Sequence, residues 1–213
     1  MTITAAFHSF LYALVALLVI IDPPGIAALF VALTPRDSDA DRREQAIRAC
    51  VVAFGVLLVF GLVGQGLLQA LGISIAALKV AGGILLFLTA ADMVSARHVL
   101  RTSPEEREAA IRSEDDISVF PLAIPLIAGP GAMTTMVLLH ARGGGGVAPL
   151  VVLVAALAAA IALTLLAMLS ARYIDRLLGA TGANVVGRVL GVLLAALAAE
   201  FVIQGVREAL SLS

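Results

Sequence analysis

The stretch LVIIDPPGIAALF, residues 18–30, interrupts a long apolar run with one acid, two prolines and a glycine. The run covers residues 5–34, more than the roughly 20 residues that a membrane-spanning helix needs. Proline removes an amide donor and clashes with the carbonyl one turn earlier, and glycine permits backbone conformations that other residues avoid. We therefore predict a helix that is broken near mid-membrane, at Asp22, Pro23, Pro24 and Gly25.

The whole chain is as apolar as this run. Of its 213 residues, 61% are hydrophobic and 14% are charged, and the mean hydropathy is +1.07. One soluble core could not bury so much apolar side chain, so residues 1–213 are predicted to form a single all-α domain embedded in the lipid bilayer. The net charge of −1 and the lack of a basic arm argue against nucleic acid as a partner.

Six apolar runs predict six transmembrane helices, at residues 5–34, 46–71, 75–95, 117–140, 147–171 and 185–206. A charged stretch, residues 96–116, separates the third run from the fourth. Arginines concentrate in or beside the first, third and fifth loops, whereas the other side carries only Arg142, Arg207 and Lys79. Cytoplasmic loops accumulate such cations, so residues 96–116 are predicted to be a cytoplasmic linker and both termini to lie outside the cytoplasm. Lys79 is expected to anchor its helix at the membrane interface by snorkelling.

The two halves of the chain resemble each other. Residues 22–25 align with 128–131 at a spacing of 106, residues 71–74 with 178–181 at 107, and residues 83–86 with 191–194 at 108. Residues 5–95 and 117–207 are thus predicted to be two three-helix repeats. Because each repeat has an odd number of spans, the second must be inverted relative to the first. Inverted repeats are typical of secondary transporters, whose sites lie where the repeats meet.

The second repeat has its own predicted break, at Gly129, Pro130 and Gly131. Each break ends one half-helix with free carbonyls and begins another with free amides, which together suit a small zwitterion. A substrate carboxylate is expected at the amides of Gly25 or Gly131, assisted by Thr134 and Thr135. The alternative interpretation is that the prolines only kink two packed helices.

Asp22 is the most informative single residue. A carboxylate within a membrane is costly unless it is paired, solvated or protonated, which makes Asp22 a candidate for proton coupling and for binding a substrate ammonium group. Alternatively, Asp22 caps the following half-helix by accepting backbone amides, and this role does not exclude the first.

Three motifs resemble the MarC family of integral membrane proteins: residues 21–25, residues 71–74 with 78–84, and residues 120–132. The resemblance covers essentially the whole chain. It implies a multi-pass protein of the bacterial inner membrane, related to LysE-type exporters, and a transport function for small neutral amino acids such as alanine or glycine. One departure is that Ile26 and Ala28 stand where the family commonly has Asn and Pro.

The preferred hypothesis is a secondary transporter, an exporter or a proton-coupled carrier, of small neutral solutes. No catalytic set, metal site or cofactor is predicted, because no nucleophile with a base and no metal cluster emerges from the sequence. A structural or regulatory membrane protein and a channel remain alternatives. The sequence leaves the oligomeric state open, including a homo-oligomer.

Overall fold

The computed structural model describes residues 3–34, 37–95, 117–144 and 146–211, and these residues are almost entirely helical. The helices are α1 (Ile3–Ile21), α2 (Pro23–Leu33), α3 (Asp39–Ala70), α4 (Ile75–Val94), α5 (Ser118–Ile127), α6 (Pro130–Arg142), α7 (Val147–Leu169) and α8 (Ala171–Ser211). The all-α prediction is confirmed for the part of the chain that is described. The predicted linker, residues 96–116, lies outside the described residues.

Within the part of the chain that the structure describes, five helical segments are long and apolar enough to cross a membrane: Thr4–Val31, Asp39–Ala70, Ile75–Val94, Val147–Leu169 and Arg188–Ser211. The first of them joins α1 to α2. The fourth predicted span is divided between α5 and α6, each of which is shorter than one bilayer crossing, and so it does not count among the five.

Large apolar side chains cover the outside of the bundle, and alanines are frequent in its interior. Side chains that are more than half exposed include Val51, Val59, Phe87, Leu88, Val151 and Leu166. Soluble monomers rarely expose apolar surface on this scale, so lipid is the medium that matches it. The fully buried positions include Ala46, Ala49, Ala53, Ala156 and Ala160, whose small side chains allow the helices to approach closely.

Helix contacts follow a pattern that the two halves share. Helix α3 packs against α5 and α6, and α7 packs against α1 and α2. Helix α4 contacts α6, and α8 contacts α2. Each of these contacts thus has a counterpart in which the halves exchange places.

Helices α4 and α8 form an antiparallel pair with glycines at the closest approaches. A methyl group on Gly83 would lie 2.8 Å from the Ala198 carbonyl oxygen and 2.7 Å from Val202 Cγ2. A methyl group on Gly191 would lie 3.2 Å from the Ala90 carbonyl oxygen and 3.1 Å from Val94 Cγ2. The second set of contacts repeats the first at a spacing of 108 residues, the spacing that the sequence gives for this part of the alignment.

Lys79 is not an exposed interfacial anchor. It is 7% exposed, and its ammonium group donates to a carboxylate oxygen of Glu208 near the end of α8. The snorkelling prediction is wrong because α8 supplies a counter-charge that the sequence of α4 does not reveal.

Candidate functional site

The first break lies at Asp22, between α1 and α2. Asp22 has φ 54° and ψ 65°, the left-handed region that few non-glycine residues adopt, although Asp tolerates it better than most. This conformation folds the side chain over the start of α2, where Oδ1 accepts the Gly25 amide at 3.2 Å. Asp22 is 5% exposed. The interpretation that Asp22 caps the following half-helix is therefore confirmed.

Two carbonyls at the end of α1 lose their usual donors. In a continuous helix each carbonyl accepts the amide four residues later. Pro23 and Pro24 have no N–H, so the carbonyls of Val19 and Ile20 lack these donors. The first break thus presents carbonyl oxygens and a buried carboxylate. The Gly25 amide, one of the two amides predicted to bind a substrate carboxylate, already donates to Asp22.

The second break lies at Ala128 and Gly129, between α5 and α6. Helix α5 has wide turns, in which the Leu122 amide donates to the Ile117 carbonyl at 3.3 Å and the Ala128 amide donates to the Ala123 carbonyl at 2.8 Å. Hydrogen bonds over five residues define a π-helix, a rare form that is often found at functional sites.

Helix α6 begins without a side-chain cap. Gly129 occupies the capping position and has no side chain to offer, and Pro130 follows as the first helical residue. The amides of Gly131 and Ala132 belong to the first turn, which has no acceptors within the helix. The start of α6 is therefore an uncapped, electropositive helix end, and anions are favoured there.

The two breaks lie against each other. A methyl group on Gly131 would be 3.8 Å from Ile20 Cγ2 and 2.6 Å from Leu86 Cδ2. The start of α6 thus touches the last turn of α1, beside the first break, with α4 behind it. The sequence-predicted groups at Asp22 and Gly131 come together in one region.

The two threonines of α6 have different surroundings. Thr134 directs its methyl group at α4, because a methyl group on Gly82 would lie 2.1 Å from Thr134 Cγ2. Thr135 is fully buried, and its hydroxyl has no hydrogen-bond partner among the described residues. Since Thr135 follows Gly131 by one turn, it shares the face of α6 that touches α1. This face of α6 therefore carries a buried hydroxyl for which the described residues supply no partner.

Sequence reasoning missed two arginines that hold helix ends. Arg42 of α3 is 8% exposed, and its guanidinium donates to the Thr34 carbonyl that ends α2, with Nε at 2.9 Å. Arg142 at the end of α6 donates to the Tyr12 hydroxyl of α1 and to Gln204 Oε1 of α8, each at 2.6 Å. In the sequence, Arg142 stands out as one of few cations on its predicted side of the membrane.

The region of the two breaks combines groups of opposite polarity. It contains one carboxylate, two carbonyls without their usual helical donors, first-turn amides and a buried hydroxyl. Over the described ranges, no group of three or more His, Cys, Asp or Glu residues is placed to hold a metal ion.

The long apolar helices and their lipid-matched surface define a multi-pass integral membrane protein. Residues 7–210 match the model of the family described as "MarC family integral membrane protein". The chain therefore belongs to the MarC family.

Related membrane proteins match this chain over nearly their full length. A membrane protein of Archaeoglobus fulgidus is 40% identical over 97% of this chain and 96% of its own. The Bacillus subtilis membrane protein YvbG is 33% identical over 94% and 95%, and an Aquifex aeolicus membrane protein is 34% identical over 94% of each chain. All three are named only as UPF0056 membrane proteins, and these names give no catalytic activity. No solved structure matches the chain.

Proposed function

We propose that this protein is a secondary transporter of small, neutral, zwitterionic solutes such as alanine or glycine. The observation that carries the proposal is the juxtaposition of two unlike helix breaks. One supplies a buried carboxylate, and the other supplies uncapped amides with an unpartnered hydroxyl one turn away. A zwitterion has the complementary pair of charges.

The proposed binding mode follows from this polarity. The solute ammonium group lies at Asp22 and the carbonyls of Val19 and Ile20, where the backbone freed by Pro23 and Pro24 is negative. The solute carboxylate lies at the start of α6, which Gly129 and Pro130 leave open. There it accepts from the amide of Gly131 and from Thr135, while Thr134 positions α6 against α4. Gly25 contributes indirectly, by fixing the Asp22 carboxylate.

Six spans in two inverted repeats complete the proposal, with repeat 1 over residues 5–95 and repeat 2 over residues 117–207. In this arrangement α1 with α2, and α5 with α6, form the two broken spans. The reciprocal contacts of Gly83 and Gly191 support it, because an inverted pair of repeats requires such an exchange. Alternating access then consists of one repeat rocking against the other around the fixed site.

Proton coupling is assigned to Asp22. A buried carboxylate that also binds the substrate ammonium group links protonation to solute release, because the neutral acid no longer attracts the cation. The arginine distribution favours a bacterial inner membrane orientation with both termini outside the cytoplasm.

Transport is tested with purified protein in proteoliposomes and labelled alanine or glycine, with and without a pH gradient. We expect saturable uptake and counterflow, with uptake enhanced by the gradient. Protein-free liposomes are the control. The absence of both uptake and counterflow would refute transport, and flux without saturation would indicate a channel.

A structural or regulatory membrane protein is the second candidate. The Asp22 cap favours it, because helix capping by itself gives a reason for a carboxylate at this position. This candidate predicts that no amino acid raises the thermal unfolding temperature of the detergent-purified protein.

A further inference from the structure

The bundle contains a second polar region, a cavity of about 530 Å³ between α1, the end of α6 and the start of α7. Its polar lining comes from His8, Ser9, Tyr12 and Arg142. Its apolar lining includes Leu139 and Pro149. The proposed site at the breaks uses none of these groups.

Arg142 is held in place by its neighbours. The Tyr12 hydroxyl and Gln204 Oε1 each accept from one terminal nitrogen of its guanidinium, and the central carbon lies 5.8 Å from the Phe201 ring centroid. Gln204 in turn donates to Glu200 at 2.5 Å, so the support extends along α8. A guanidinium carries five N–H donors in a planar fork that matches a carboxylate. Arg142 is thus an oriented cation in a cavity large enough for a small solute.

The cavity adjoins the proposed site along one helix. Helices α1 and α6 are antiparallel, since Ile20 lies at Gly131 while Tyr12 bonds Arg142. Leu139, in the cavity wall, follows Thr135 by one turn, or about 6 Å of helix. Arg142 and the amides at Gly131 therefore present two anion-attracting positions about 17 Å apart on α6.

We propose that this cavity is an access subsite that takes the carboxylate of a small amino acid or other small carboxylate on Arg142. The inference rests on the proposed function for its direction, since the solute next moves along α6 to the breaks. As a binding site for a carboxylate, however, it can be tested without transport.

The test on the unmodified protein uses phenylglyoxal, an arginine-selective reagent, with modification read by mass spectrometry of detergent-purified protein. Glycine and acetate are expected to slow the modification of Arg142 at least threefold, and methylamine, which lacks a carboxylate, is not. Arg207, which lies near the end of α8 and is exposed like Arg142, is the internal control. Equal protection of both arginines, or protection of neither, would overturn the proposal.

Substitution gives the second measurement. In proteoliposomes, Arg142→Gln is expected to raise KM for glycine about tenfold with kcat within twofold, whereas Arg207→Gln leaves both unchanged. Arg142→Lys is expected to recover only part of the loss, because an ammonium group lacks the planar fork. An unchanged KM in Arg142→Gln contradicts the access role. Carboxylate protection of Arg142 in a protein that moves no amino acid would leave this subsite standing while refuting the proposed function.

Discussion

The two helix breaks are related by sequence but differ in how the following half-helix is capped. Helix α2 begins under the carboxylate of Asp22, which accepts the Gly25 amide, whereas α6 begins at Pro130 and its capping residue, Gly129, has no side chain to cap it. Proline follows in both, so the backbone is interrupted in both. One break therefore carries its own anion, while the other is an electropositive helix end without a side-chain cap. A site with two identical breaks would suit an ion rather than a zwitterion.

Removing the charge of Asp22 is expected to have the largest effect of the substitutions that test this difference. In Asp22→Asn the side-chain oxygen still accepts the Gly25 amide, and Asn tolerates the left-handed conformation, so the fold is retained. We expect uptake driven by a pH gradient to fall to the equilibrium level and counterflow to weaken, because the neutral amide no longer attracts the solute ammonium group. The measurement is uptake of labelled alanine into proteoliposomes.

Asp92→Asn is the matched control for that experiment, since Asp92 is another acid in a predicted span, on α4. It should retain gradient-driven uptake. Full proton dependence in Asp22→Asn would remove the coupling role and leave Asp22 as a helix cap alone.

The glycines that follow the two prolines give the next largest effect. A methyl group on Gly25 would lie 2.1 Å from Asp22 Oδ2, so Gly25→Ala must displace the carboxylate and lose the cap, worth about 1 kcal/mol. In Gly131→Ala the nearest atom, at 2.6 Å, is the end of the flexible Leu86 side chain, which can move. We expect Gly25→Ala to lower the thermal unfolding temperature more and to abolish gradient-driven uptake. An equal loss in both variants would mean that Asp22 does not distinguish the breaks.

Thr135→Val tests the ligand side of the comparison. A buried hydroxyl without a partner costs about 1–3 kcal/mol, so replacing it with a methyl group of the same shape should stabilise the free protein by about 1 kcal/mol. The same change should raise KM for alanine about tenfold, which corresponds to about 1.4 kcal/mol. Thermal unfolding and concentration-dependent counterflow measure the two effects.

Thr134→Val is the comparison variant, because Thr134 directs its methyl group at Gly82 and its role is to position α6. A smaller rise in KM is expected, without a gain in stability. If Thr135→Val destabilises the free protein, its hydroxyl has a partner within the protein and is not a substrate contact.

Local chemistry explains which features the sequence could predict. Proline and glycine act on their own backbone, so the breaks at Asp22 and Gly129 were accessible from residue types alone. The Asp22 cap was also accessible, because it joins residues three apart. The Lys79 pair with Glu208 and the Arg142 pair with Tyr12 were not, because they join residues about 130 apart through helix packing. The break that divides the fourth span was predicted at Gly129, but the π-helical turns of α5 before Ala128 were not.

The smallest effect is expected from substitutions that compare the two halves of the chain away from the breaks. Gly83→Ala and Gly191→Ala each place a methyl group against a carbonyl of the partner helix, at 2.8 Å and 3.2 Å respectively. Both should lower the thermal unfolding temperature in detergent to a similar extent, because a methyl group on Gly191 would also lie 2.8 Å from Met93 Cβ, which the α4 backbone holds in place. Overpacking of this kind costs about 1–3 kcal/mol. Gly55→Ala is the control, since a methyl group there would meet nothing within 4 Å. If only one of the reciprocal glycines is sensitive, the halves do not share this interface equally, and the difference between the breaks then extends to the whole repeat.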